Sequence, residues 1–90
     1  MNEVIIIREF CHGDVSIAAD YKSAIYYLMK EGWIADYTDV YDEDSNRGLP
    51  ISEVLGKDWR TVLLNANEDW FNNVFVDQFR LRRVEIYKHE

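Results

Sequence analysis

Apolar positions in this chain recur at a helical period in some stretches and at a strand period in others, and one block, Asn67–Tyr87, contains the switch between the two. Trp70, Phe71, Val74, Phe75 and Phe79 fall at helical spacing and predict an amphipathic helix with one apolar side. Asn67 stands where it can cap that helix, and Glu68 and Asp69 lie in its first turn, near the positive end of the dipole. From about Arg80 the pattern alternates, with Val84 and Ile86 on one face and Arg83, Glu85 and Tyr87 on the other, so a strand follows.

The rest of the chain is read around that block. Val4–Phe10 is rich in β-branched residues, and Val4, Ile5, Ile6 and Ile7 are apolar on both faces, as in a strand covered on both sides or central in a sheet. The turn signal His12-Gly13-Asp14 followed by Val15–Ala19 predicts a hairpin. Asp20 caps a helix with the apolar stripe Tyr21, Ala24, Ile25, Leu28 and Met29, which Gly32 ends. Asp36–Gly48 has no sustained period and is expected to be a long loop. Pro50 opens a short helix to Leu55, with Ser52 as a cap. Asp58 caps another, with Trp59, Val62, Leu63 and Ala66 turned inward. The expected fold is a single α+β domain spanning residues 1–90: a small antiparallel sheet, made of the N-terminal hairpin and the C-terminal strand, packed against three or so helices.

Ninety residues with 48% apolar side chains are enough for one modest core. The single cysteine, Cys11, has no intramolecular partner, and the chain shows no signal-peptide pattern and no membrane-spanning run, so a cytoplasmic protein is expected. Charge changes the picture more. Of the net −7, residues 31–58 alone supply −6, from eight acids against Arg47 and Lys57, whereas residues 80–90 are basic. An acidic field repels phosphate and attracts basic surfaces, so direct nucleic-acid binding is disfavoured.

Catalytic chemistry finds little support. Cys11 and His12 are neighbours, and on a strand they would point to opposite faces, which prevents a dyad. Cys11 is expected to be buried or half-buried near a strand end, and His89 to lie at a frayed terminus. One cysteine and two distant histidines fall short of a zinc set, and there is no phosphate-binding loop, so neither cofactor nor enzymatic activity is expected. Asp42, Asp44, Asn46 and Glu53 match positions 1, 3, 5 and 12 of a calcium loop. Arg47 stands where that loop needs its glycine, and Pro50 follows, so solvated acids are the simpler account. The interleaved acids and tyrosines Asp36, Tyr37, Asp39, Tyr41, Asp42, Glu43 and Asp44 form a candidate surface for a basic protein, because carboxylates capture Arg and Lys and tyrosine adds contact area at small entropic cost. Tyr27, read as lying opposite the apolar stripe of its helix, is expected to be exposed and is a second candidate contact. Arg80, Arg82 and Arg83 form either a partner-binding edge or a guard against strand self-pairing.

The helix Tyr21–Met29 ending in Gly32-Trp33-Ile34, with Trp70-Phe71-Asn72-Asn73-Val74-Phe75 leading into Val84-Glu85-Ile86-Tyr87, resembles small acidic proteins of Gram-positive phages and integrated mobile elements. The resemblance implies an accessory role in a host cell, in a group that includes antagonists of host defence, and it carries over no functional residue. The resulting expectation is a non-enzymatic protein that occupies the basic, nucleic-acid-binding face of a host protein. Competing readings are an immunity protein for a basic toxin, a calcium-responsive module, and a phage component that forms a homo-oligomer through the strand Arg80–Lys88.

Overall fold

The computed structural model describes residues 2–86. Among them, five strands and four helices follow in the order β1 (Asn2–Glu9), β2 (Val15–Ala18), α1 (Tyr21–Lys30), β3 (Asp39–Asp42), β4 (Arg47–Pro50), α2 (Ile51–Leu55), α3 (Trp59–Leu64), α4 (Glu68–Val74) and β5 (Phe79–Ile86). The main sheet is antiparallel with strand order β2-β1-β5, and β3 and β4 form a separate two-stranded hairpin. The α+β class and the pairing of the C-terminal strand with the N-terminal hairpin are as the sequence predicts.

Strand β1 is the central strand, and its pleat decides where everything else lies. Ile5, Ile7 and Glu9 point inward and are buried, as do Phe79 and Leu81 of β5. The helices cover this inner face. Ala24, Ile25 and Leu28 of α1, Trp59 and Leu63 of α3, and Phe71 and Phe75 from α4 and its C-terminal end complete one core cluster with them. The Phe71 and Phe75 rings stack with centroids 4.4 Å apart, and Phe79 meets Phe75 edge-on at 5.8 Å. Phe79 therefore joins the ring cluster from β5, not as the last residue of a helical stripe. The helix ends at Val74, and the chain turns before the cluster is complete.

Local capping follows the sequence at two of four helices. The Asp20 carboxylate accepts the Ser23 N–H at 2.8 Å, a bond that holds its pKa below the ordinary value, and the Asn67 side chain accepts the Trp70 N–H at 2.9 Å. Asp58 starts α3 without a side-chain cap bond. Ser52 lies within α2 and donates its hydroxyl to the Asp36 carbonyl instead of capping. Val62 does not face the core but is 41% exposed, because Trp59 and Leu63, four residues apart, already fill the inward side of a helix only six residues long.

Strand β5 lies at the edge of the sheet, and one side chain occupies part of its free side. The Asn72 amide of α4 donates to the Leu81 carbonyl and accepts the Leu81 N–H, both at 2.8 Å. In an antiparallel pair a residue sends both backbone groups to the same side, so the outward-facing groups of Leu81 are spoken for and a template for further pairing is blunted. Edge-to-edge assembly through β5 thus meets an obstacle at the third of its eight residues. Tyr87, Lys88 and His89, to which some of the sequence expectations refer, lie outside the described residues. Buried Tyr21 makes a second tie, donating its hydroxyl to the Leu63 carbonyl at 2.6 Å. Burial first, and the nearby Glu68 carboxylate second, raise the pKa of this phenol above its ordinary value.

Two outcomes follow. Asn72→Ala leaves both Leu81 backbone groups without their partners and is expected to destabilise the fold by about 1–3 kcal/mol in urea unfolding; an unchanged midpoint means that water replaces the amide. The raised Tyr21 pKa makes the unfolded chain the readier to lose the phenolic proton. That contribution to stability is full below about pH 10 and is lost as pH rises further. Tyr21→Phe is expected to lower stability at neutral pH by about 1 kcal/mol and to flatten the alkaline decline, read from urea midpoints across pH 8–11.

Candidate functional site

The acidic stretch is not a long loop. Asp39–Asp42 pairs with Arg47–Pro50 in the register Asp39↔Pro50, Val40↔Leu49, Tyr41↔Gly48 and Asp42↔Arg47. The turn between them supplies the ordering that the apolar pattern does not reveal. Asp42 Oδ2 accepts the Ser45 hydroxyl at 2.7 Å and the Ser45 N–H at 3.1 Å. Asn46 takes a left-handed conformation at φ 55°, which asparagine tolerates better than most residues, and its side-chain oxygen accepts the Tyr41 hydroxyl. Buried Val40 anchors β3 to the core, while Asp39 and Tyr41, two residues apart on the pleat, share the opposite, exposed face.

That exposed face forms one wall of an open groove of about 620 Å³. The other wall is the C-terminal end of α4 and the corner leading to β5. Asp39, Glu43 and Asp77 bring three carboxylates to it, and Tyr41, Val74 and Val76 provide its apolar surface. The Gln78 amide donates to the Asp39 carbonyl and ties the two walls together. Asp42 and Asp44 line an adjoining depression of about 410 Å³ with Val54, Leu55 and Trp70. Between residues 39 and 50, four carboxylates stand against the one guanidinium of Arg47, so this end of the molecule presents negative charge over apolar contact area.

The other predicted surface residues are placed differently. Asp36 is partly neutralised: its Oδ1 accepts the Trp59 indole N–H at 2.8 Å and lies 3.4 Å from the Arg60 guanidinium, which itself sits 4.3 Å from the centroid of the Trp59 ring. Tyr37 is 76% exposed and lines neither depression. Tyr27 is half-buried, not exposed; it packs against the core and accepts a hydrogen bond from Ser16 of β2 at 3.1 Å. Its neighbour Tyr26 is the exposed tyrosine of α1. Asp77 and Val76 are site residues that the sequence reading missed. They come from a corner 34 or more positions away in the chain, and no local pattern connects them to β3.

The Asp42, Asp44 and Glu53 carboxylates are not brought together at metal-ligand spacing among the described residues. Asp42 and Asn46 are engaged in the hairpin turn, and Glu53 belongs to the first turn of α2. Among the described residues, the group with metal-ligand spacing is instead Glu9, Cys11 and His12, whose donor atoms lie within 4.8 Å of one another. Cys11 is therefore exposed in a turn, and it shares a side of that turn with His12 rather than pointing away from it. The turn itself accounts for the grouping. The buried Glu9 carboxylate accepts the N–H of Cys11 at 2.8 Å and of His12 at 2.6 Å, replacing the solvent those amides would otherwise use. The His12 ring stands edge-on to Trp33 at 5.9 Å.

Among the described residues no helix is long and apolar enough to cross a membrane. No family model matches the chain, and neither a curated protein nor a solved structure matches it.

Proposed function

We propose that this is a non-enzymatic binding protein whose acidic groove receives a basic segment of another protein. The observation that carries the reading is the convergence of Asp39, Glu43 and Asp77 around the apolar surface of Tyr41, Val74 and Val76. Lysine and arginine side chains carry a cationic head on an aliphatic stem, and such a groove complements both parts at once. The fixed hairpin also keeps the binding side chains ordered before the partner arrives, which lowers the entropic cost of association. In a host cell this surface would occupy the basic, nucleic-acid-binding face of a target, the accessory role implied by the resemblance to small phage and mobile-element proteins. A basic toxin would meet the same surface by the same chemistry.

Affinity capture from a Gram-positive host lysate at low and high salt, compared with the triple variant Asp39→Lys, Glu43→Lys and Asp77→Lys, tests this reading. A basic protein is expected to be retained at low salt and released at high salt, because exposed charge pairs are screened within about 10 Å at 0.1 M ionic strength. The folded variant is expected to lose at least about tenfold in affinity for that protein, or about 1.4 kcal/mol. Equal affinity of the variant and the parent would remove the groove from the function.

A further inference from the structure

The helices cover only one face of the three-stranded sheet. On the opposite face the pleat places Val4, Ile6 and Arg8 of β1, Val15 and Ile17 of β2, and Arg80, Arg82, Val84 and Ile86 of β5. Val15 is 58% exposed, Ile17 70% and Ile86 49%, and none of these three belongs to the core cluster. The register groups them. Val4 lies beside Val84, and Ile6 lies between Ile17 and Arg82. Arg8 lies between Val15 and Arg80. The three arginines thus lie toward one end of the face on β1 and β5, with Val15 and Ile17 of β2 beside them, while Val4, Val84 and Ile86 lie toward the other end. Among the described residues no carboxylate shares it, on a chain whose net charge is −7, and none of the three arginines forms an ion pair with a described residue.

We propose that this open sheet face is a second docking surface, and that its occupant is an amphipathic helix of a partner protein, apolar along one side and carboxylate-bearing at one end. Charge complementarity selects the carboxylates, since arginine pairs with them through two parallel hydrogen bonds. Dimensions select the helix. Three strands about 4.8 Å apart make a strip close to the width of one helix, and the eight-residue strands β1 and β5, about 27 Å long, match about 18 helical residues. Such a helix turns a two-layer fold into the three-layer arrangement in which both faces of the sheet are covered. A second copy of this chain fits poorly. A two-fold contact sets the same patch against itself, and a patch with three guanidinium groups and no carboxylate cannot pair its own charges. Nucleic acid fits poorly as well, because rows of valine and isoleucine offer no ring on which a base can stack.

Two synthetic 18-residue helical peptides with the same leucine stripe, one with three glutamates in a terminal turn and the other with three glutamines, which the acidic groove does not attract, would be titrated against the full chain by fluorescence anisotropy. The glutamate peptide is expected to bind at least tenfold more tightly than the glutamine peptide. Ile17→Glu and Arg82→Glu are each expected to weaken it by at least tenfold, while Glu43→Lys in the acidic groove leaves it unchanged. The exposure of both positions lets the variants fold, which circular dichroism would verify. Equal binding of the two peptides, or binding of neither, overturns the proposal. So does a concentration-dependent dimer in sedimentation that Ile17→Glu dissociates, which makes a second copy the occupant. Displacement of the glutamate peptide by a single-stranded oligonucleotide also overturns it, in favour of nucleic acid.

Discussion

The antiparallel pairing of β1 with β5 is the constraint on which the rest of this structure depends. Its register runs unbroken from Asn2↔Ile86 to Glu9↔Phe79, so two eight-residue strands from opposite ends of the sequence share one pleat. A slip of β5 by one residue would turn Phe79 and Leu81 away from Ile5 and Ile7 and bring Arg80 and Arg82 into the core. The aromatic cluster, the seat of α4 and the corner that carries Asp77 into the acidic groove all follow from this register. So does the grouping of arginines on the other face, where Arg8 and Arg80 are direct cross-strand partners.

Much of the fold can be read from local chemistry, and the places where the reading fails share a cause. Asp20 and Asn67 announce their helices because a cap is a contact over three residues, and the stripe Ala24, Ile25 and Leu28 announces its buried side. The β3–β4 hairpin escapes notice because the bonds that organise it are polar and the hydrophobic pattern records only Val40. Tyr27 is misplaced because a helical wheel gives a direction but not the neighbour, and Ser16 of β2 reaches the phenol from another element. The alternation of β5 is legible in the sequence, yet which of its faces is covered is not. The inner face holds Arg83, which offsets its charge by bonding Glu68 at 2.7 Å and Glu3 at 3.2 Å, while the apolar Val84 and Ile86 lie outside.

Charge is sorted in three dimensions more sharply than along the chain. The acidic hairpin leans on the helical layer through α2 and α4, and the arginine-bearing face is the side of the sheet that the helices leave open. The two potentials point away from each other, and neither cancels the other at short range. A partner that meets one of them is therefore steered by a field opposite in sign to that of a partner meeting the other. Arg83, paired with Glu68 and Glu3 at the surface, contributes to neither.

The Asn72–Leu81 clasp has a kinetic side as well. Its two residues are nine positions apart, whereas Asn2 and Ile86, at the far end of the β1–β5 ladder, are separated by nearly the whole chain. Closing the short loop costs less conformational entropy, and contacts of low sequence separation form earlier. During folding the outer edge of β5 is accordingly occupied while its inner edge still waits for β1. The strand is then offered to the growing sheet with one open side, and a second chain that meets it in this interval finds fewer free backbone groups to join.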